Sequence, residues 1–99
     1  MQIRRTEEFA SWLSQLRDRQ GRAKILSRID RLEEGNPGKS RSVGEGVVEM
    51  KIDFGPGYRV YYIRRGAIVI VLLCGGDKSS QENDIRRAKV LASQLDVTE

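Results

Sequence analysis

The sequence predicts an α+β domain in which an N-terminal helical hairpin packs on a three- to four-stranded antiparallel sheet and a further helix closes the chain. Two observations carry this. Apolar residues recur at helical spacing up to Leu32 and again after Ser80, but from Val47 to Cys74 the period is that of strands. The helical and strand stretches are also grouped rather than alternating, the order expected of an antiparallel sheet with segregated helices. The 99 residues suit one domain, spanning 1–99.

Each element has its own warrant. Ile3 leaves room for a short first strand. Thr6 can cap a helix, with Glu7 and Glu8 well placed in its first turn. Phe9, Trp12, Leu13 and Leu16 then form an apolar face. Gly21 reads as a break, and a second helix follows with Ile25, Leu26, Ile29 and Leu32 on one side and Arg22, Lys24, Arg28 and Arg31 on the others. Gly35-Asn36-Pro37-Gly38 ends it. Residues 39–46 read as a polar loop. Val48, Met50, Ile52 and Phe54 alternate with Glu49, Lys51 and Asp53, as a half-buried strand would. Gly55-Pro56-Gly57 is a turn, Tyr58 to Arg64 a second strand, Arg65-Gly66 a two-residue turn, and Ala67 to Cys74 a third strand, apolar on both faces. After Gly75-Gly76, Ser79-Ser80-Gln81-Glu82 has the form of a capping box, and Ile85, Ala88, Ala92 and Leu95 line the last helix.

The turns suggest registers. With Lys51 opposite Arg59, one face gathers Val48, Met50, Ile52, Tyr58, Val60 and Tyr62, and the other Glu49, Lys51, Asp53, Arg59 and Tyr61. A two-residue turn pairing Ile63 with Ile68 would add Ile68, Ile70, Leu72 and Cys74 to that second face. The last helix then covers part of it and leaves a charged, tyrosine-bearing shelf open. Solvated strand charges are a common reason for Glu49, Lys51 and Asp53. Arg59, between Tyr58 and Val60, fits a paired or ligand-facing arginine better. Lys78 follows two glycines at a helix start, where backbone N–H groups favour an anion such as phosphate.

Composition narrows the chemistry. Lys plus Arg number 18 against 14 acidic residues, a net +4 that suits an anionic partner, nucleic acid or an acidic protein. Histidine is absent, which excludes His-based triads and zinc sites. The lone Cys74 has no partner for a disulfide and no metal-ligand spacing, so it is expected to be a buried thiol. No apolar run approaches membrane-spanning length, and the first residues begin no signal region, so a cytoplasmic protein without a membrane role is expected.

Four stretches, Phe54-Gly-Pro-Gly-Tyr-Arg-Val-Tyr-Tyr62, Leu72-Leu-Cys-Gly-Gly-Asp-Lys-Ser-Ser-Gln81, Gly35-Asn-Pro-Gly38 and Val43-Gly-Glu-Gly46, resemble the RelE/ParE superfamily, and within it the phage Gp49-like, HigB-like addiction-module killer proteins. The likeness covers nearly the whole chain. It implies a RelE-like fold and the toxin of a type II toxin–antitoxin pair. The partner would be a cognate antitoxin, commonly a helix-turn-helix protein, in a hetero-oligomer. RelE- and HigB-like members cleave mRNA on the ribosome, whereas ParE-like members poison DNA gyrase on a similar fold, so fold alone does not settle chemistry.

By motif, Arg59 matches a catalytic arginine of RelE-like toxins, Lys51 and Glu49 lie where those toxins place basic residues, and Lys78 lies near a basic position after the last strand. Glu49 departs from that pattern by its sign, and Asp84 or Ile85 stands where a helix tyrosine would be. RNA cleavage through the 2′-hydroxyl needs a base, an acid and charge stabilisation, with no cofactor or metal. The base would be Glu49 or Lys51 with a depressed pKa. Arg59 and Lys78 would hold the phosphate, and Tyr61 would stack on a base or donate a proton. A gyrase poison or a non-enzymatic antitoxin-binding module would not need this cluster.

Overall fold

The computed structural model describes residues 1–98. The elements are β1 (Gln2–Arg5), α1 (Glu7–Gln15), α2 (Arg19–Glu33), β2 (Ser40–Gly44), β3 (Val47–Ile52), β4 (Tyr58–Arg65), β5 (Val69–Gly76), a short 3-10 turn (Lys78–Ser80) and α3 (Gln81–Thr98). The fold is α+β, as the periodicities require. The sheet has five strands in the order β1-β5-β4-β3-β2, and it is mixed rather than antiparallel: β1 runs parallel to β5.

Thr6 caps α1 as expected, accepting from the Phe9 amide at 3.0 Å. The break between the two helices lies at Leu16 to Asp18, not at Gly21. Asp18 caps α2 by accepting from the Gly21 amide at 2.9 Å, and Gly21 lies inside the helix. Glycine is needed there for space, because a Cβ would come within 2.6 Å of the Tyr58 ring. The capping box after β5 is also displaced: Asp77 caps the 3-10 turn and α3 begins at Gln81.

The sheet carries a core on each face. Phe9, Leu13, Ile25, Ile29 and Leu32 of α1 and α2 pack on Met50, Ile52, Tyr58, Val60, Tyr62, Ile70 and Leu72. Ala88, Leu91 and Ala92 of α3 pack on Val47, Tyr61, Ile63, Val71, Leu73 and Cys74. Each large apolar side chain so buried is worth about 1.5–3 kcal/mol against exposure. Among the described residues, no helix is long and apolar enough to cross a membrane.

The β3–β4 register is the expected one, with Lys51 opposite Arg59 and Met50 opposite Val60. The next register is not. Arg65 pairs with Val69 and Ile63 with Val71, so the loop holds three residues, Gly66 to Ile68. Ile63 is thereby offset from the expected partner Ile68 by an odd number of residues, and side chains alternate, so Ile70 and Leu72 move to the α1–α2 face. A bulge between Tyr61 and Tyr62 leaves Leu73 as the extra residue, and Leu73 and Cys74 both join the α3 side. Ile68 faces neither core and is largely exposed.

Candidate functional site

Two rows of side chains cross the sheet on the α3 side. Arg41, Glu49, Tyr61 and Cys74 form one by direct pairing through β2, β3, β4 and β5. Lys51 and Arg59 head the second, ending at Gly76, and Lys39 joins it at the edge, where its carbonyl accepts from the Lys51 amide at 3.0 Å. The second row puts two cations directly opposite one another, which destabilises a sheet unless an anion lies nearby.

Two adjoining cavities open over these rows. One of about 410 Å³ is lined by Lys39, Ser40, Arg41, Glu49, Lys51, Arg59 and Gln81. The other, about 400 Å³, runs from Lys51 and Arg59 over the Asp53–Gly57 turn to Lys78. Lys51 and Arg59 belong to both and stand at the divide. Five cationic side chains face two carboxylates, Glu49 and Asp53.

The carboxylates have different parts. Asp53 is exposed and holds Lys39 at 3.2 Å and Lys51 at 3.3 Å. Exposed pairs of this kind contribute about 0–1 kcal/mol, so an incoming phosphate can displace them. Glu49 is buried. Its Oε1 accepts from Arg41 Nε at 2.9 Å, and its Oε2 accepts from Gln81 Nε2 at 2.9 Å and Tyr61 Oη at 3.1 Å. Burial pushes the Glu49 carboxyl up, but the bonds from Arg41, Gln81 and Tyr61 outweigh it and hold it below the ordinary 4.5. A carboxylate so occupied is poorly suited to take a proton from a hydroxyl.

That depression has a consequence for stability. Glu49 binds its proton less readily folded than unfolded, so its contribution is full above the ordinary value of 4.5 and is lost as pH falls through the lower folded value. Melting temperature measured down an acid series should therefore fall below about pH 4.5, and Glu49→Gln should flatten that fall. An unchanged acid profile in Glu49→Gln would assign the loss to other carboxylates.

The expected shelf is less open than its residues suggested. Tyr61 is fully buried under α3, its hydroxyl donates to Glu49, and burial pushes its pKa up. It has no face to offer a nucleobase in this structure. Arg59, expected on the open shelf, is only 5% exposed. Its Nη1 donates to the Gly57 carbonyl at 2.6 Å, and its Nε lies 3.9 Å from Glu49 Oε2 with no hydrogen-bond partner. Gly57 has a positive φ of 79°, and a Cβ there would sit 3.0 Å from the guanidinium, so this turn requires glycine.

Lys51 is half-buried and Lys78 is exposed on the rim. The helix-start phosphate seat expected around Lys78 is already engaged: the Asp77 carboxylate accepts from the Ser79 amide at 2.8 Å. Lys78 thus offers its side chain rather than a backbone nest. Asp84, over Gly76, is pushed up by burial, and Ser80 donates to it at 2.5 Å. The Cys74 thiol is buried and pushed up to about 12, as an inert thiol would be. Among the described residues, no three His, Cys, Asp or Glu side chains gather to hold a metal.

Lys39, Arg41 and Gln81 were missed as site residues. Lys39 and Arg41 sit at strand spacing, but the Ser40 and Ser42 beside them are polar too, so no apolar alternation marked them.

Residues 11–95 match the family model described as phage-derived protein Gp49-like. The chain belongs to the Gp49-like family. This Gp49-like protein is also 50% identical, over 95 residues, to a Haemophilus influenzae protein described as an uncharacterized protein, with 96% of each chain covered. No solved structure matches the Gp49-like chain significantly. The family is a toxin-like one.

Proposed function

We propose that this Gp49-like protein is the toxin of a type II toxin–antitoxin pair and cleaves mRNA on the ribosome. The observation that carries this reading is the Lys51–Arg59 pair, two cations set face to face at the divide of the cleft, with Lys78 on its rim. A scissile phosphate there would displace the exposed Asp53 from Lys51 and add an anion beside Arg59, and guanidinium and ammonium groups suit its oxygens. The element order and the quoted motifs support the RelE/ParE resemblance, and with it this reaction.

In the reaction the 2′-oxygen attacks phosphorus and the P–O5′ bond breaks, leaving a 2′,3′-cyclic phosphate and a 5′-hydroxyl. The 2′-hydroxyl proton must be taken up and the 5′-oxygen must receive one. Arg59 stabilises the charge that develops on phosphorus. With Glu49 and Tyr61 bonded to each other, the proton transfers on this reading fall to Lys51 and Lys78: one starts neutral and takes the 2′-hydroxyl proton, the other starts charged and gives one to the 5′-oxygen. The toxin is held inactive by a small antitoxin of helix-turn-helix type, bound over the Lys51–Arg59 cleft or in place of α3.

A second reading, a non-catalytic antitoxin-binding module, is favoured by that same bond between Glu49 and Tyr61, which removes two acid–base candidates. Pulsed expression with mapping of mRNA 5′ ends, run beside a gyrase supercoiling assay, separates the possibilities. The proposal expects new 5′ ends within translated regions and unaltered supercoiling. Growth arrest with relaxed DNA and intact mRNA would point to gyrase, and no effect on either to a binding module.

A further inference from the structure

Arg41 lies on the edge strand β2 with its side chain 61% exposed, yet it is held in place. Its Nε donates to Glu49 Oε1, and among the described residues no group accepts from its two terminal nitrogens. The carboxylate that holds it is 4% exposed and fixed from behind by Tyr61 and Gln81 on its other oxygen. The Arg41 pair itself is worth little to stability, because a largely exposed arginine is screened by solvent and gives up rotamer freedom to hold one geometry. What the arrangement achieves is an arginine whose fork is aimed before any ligand arrives, so little rotamer freedom remains to be lost on binding.

The fork also has a place. Arg41 pairs with Glu49, which is two residues from Lys51 along β3, a spacing of about 7 Å on one sheet face. Arg41, Lys51 and Arg59 line the same cavity. Most other polar groups there are engaged: both Glu49 oxygens are taken, Gln81 gives its Nε2 to Glu49, and the Ser40 hydroxyl donates to the Gly38 carbonyl at 3.3 Å. The cavity therefore presents cations more than a mixed donor–acceptor pattern, which suits a phosphate better than a base edge.

We infer that Arg41 binds the RNA phosphate adjacent to the scissile one, and that Glu49 is its positioning residue rather than the catalytic base. This rests on the RNA-cleaving reading above. The two free Nη groups would take that phosphate bidentately, fixing the strand on one side of the reaction.

The test is the salt dependence of RNA binding by the purified chain, read by fluorescence anisotropy on a single-stranded oligonucleotide with 2′-O-methyl groups, which cannot be cleaved. Each lost phosphate contact lowers the slope of log K against log salt by about 0.7 on a single strand. Arg41→Ala should lose about that much and weaken all sequences alike. Arg41→Lys should recover the slope but not the full affinity, because lysine cannot bond both Glu49 and phosphate as a fork. Arg64→Ala, removing an exposed arginine near the far end of β4, should leave the slope as in wild type. Glu49→Gln divides the two roles of the carboxylate. A positioning residue predicts weaker binding when its charge is removed, whereas a mere repelling charge predicts tighter binding. An unchanged slope in Arg41→Ala, weakening confined to one base at one position, or tighter binding by Glu49→Gln would each overturn the inference. If the wild-type chain does not bind the free oligonucleotide, the same slopes are read with the oligonucleotide seated on ribosomes; binding in neither setting would fell the RNA reading, and this inference with it.

Discussion

Lys78→Ala is expected to lower mRNA cleavage by about 10²-fold or more, the usual contribution of a group that moves a proton in the transition state. Lys78 is exposed on the rim of the cleft and its side chain holds up no core, so the variant should melt within about 0.5 kcal/mol of wild type. Growth rescue on induction, loss of new mRNA 5′ ends and an unshifted thermal melt together make the result. Arg59→Ala is a less clean experiment than its strand position suggested. Its guanidinium is buried between Gly57 and Glu49, so truncation removes a phosphate ligand and a structural hydrogen bond at once. Full toxicity in Lys78→Ala would mean that Lys78 takes no part in the reaction, and full toxicity without new mRNA 5′ ends would move the gyrase-type reading ahead.

The largest stability effect is expected at Phe9. Its ring is fully buried, packs against Trp12 with centroids 5.8 Å apart, and carries the Arg5 guanidinium 5.9 Å from its centre. Phe9→Ala should cost about 3–5 kcal/mol in urea unfolding. Against a usual total of about 5–15 kcal/mol, this variant would lose toxicity by unfolding. Trp12, the larger aromatic and the expected core residue from its helical position, is only half-buried and lies across Gly75, where a Cβ would fall inside the indole. Trp12→Ala should therefore cost less than Phe9→Ala. The reverse order would show that the α1 face is anchored by the indole.

The helices, the alternation in β3 and the Lys51–Arg59 pairing were legible because each rests on local chemistry. A capping threonine, an apolar residue every third or fourth position, and an alternating strand leading into a glycine-proline turn leave few other arrangements. β2 was not legible by that rule. Ser40–Gly44 is an edge strand whose side chains are exposed or only partly buried, so no apolar alternation marks it, and its backbone pairing with β3 alone makes it a strand. With β2 went Arg41 and Lys39, and with them half the cleft.

Residue chemistry by itself determined the fold class, the basic character, the absence of histidine chemistry and the presence of Lys51 and Arg59 on one sheet face. Tertiary structure decided the rest. The parallel pairing of β1 with β5 joins residues far apart in the chain, and a single apolar residue, Ile3, does not announce it. One additional loop residue between β4 and β5, with the pairing that follows from it, sent Ile70 and Leu72 to the opposite core. Packing of α3 closed over Tyr61 and Glu49, turning an apparent nucleobase platform and an apparent base into the buried support of an arginine. Periodicity shows which residues share a face. It does not show how much of that face another element covers, because coverage depends on contacts between segments distant in the chain.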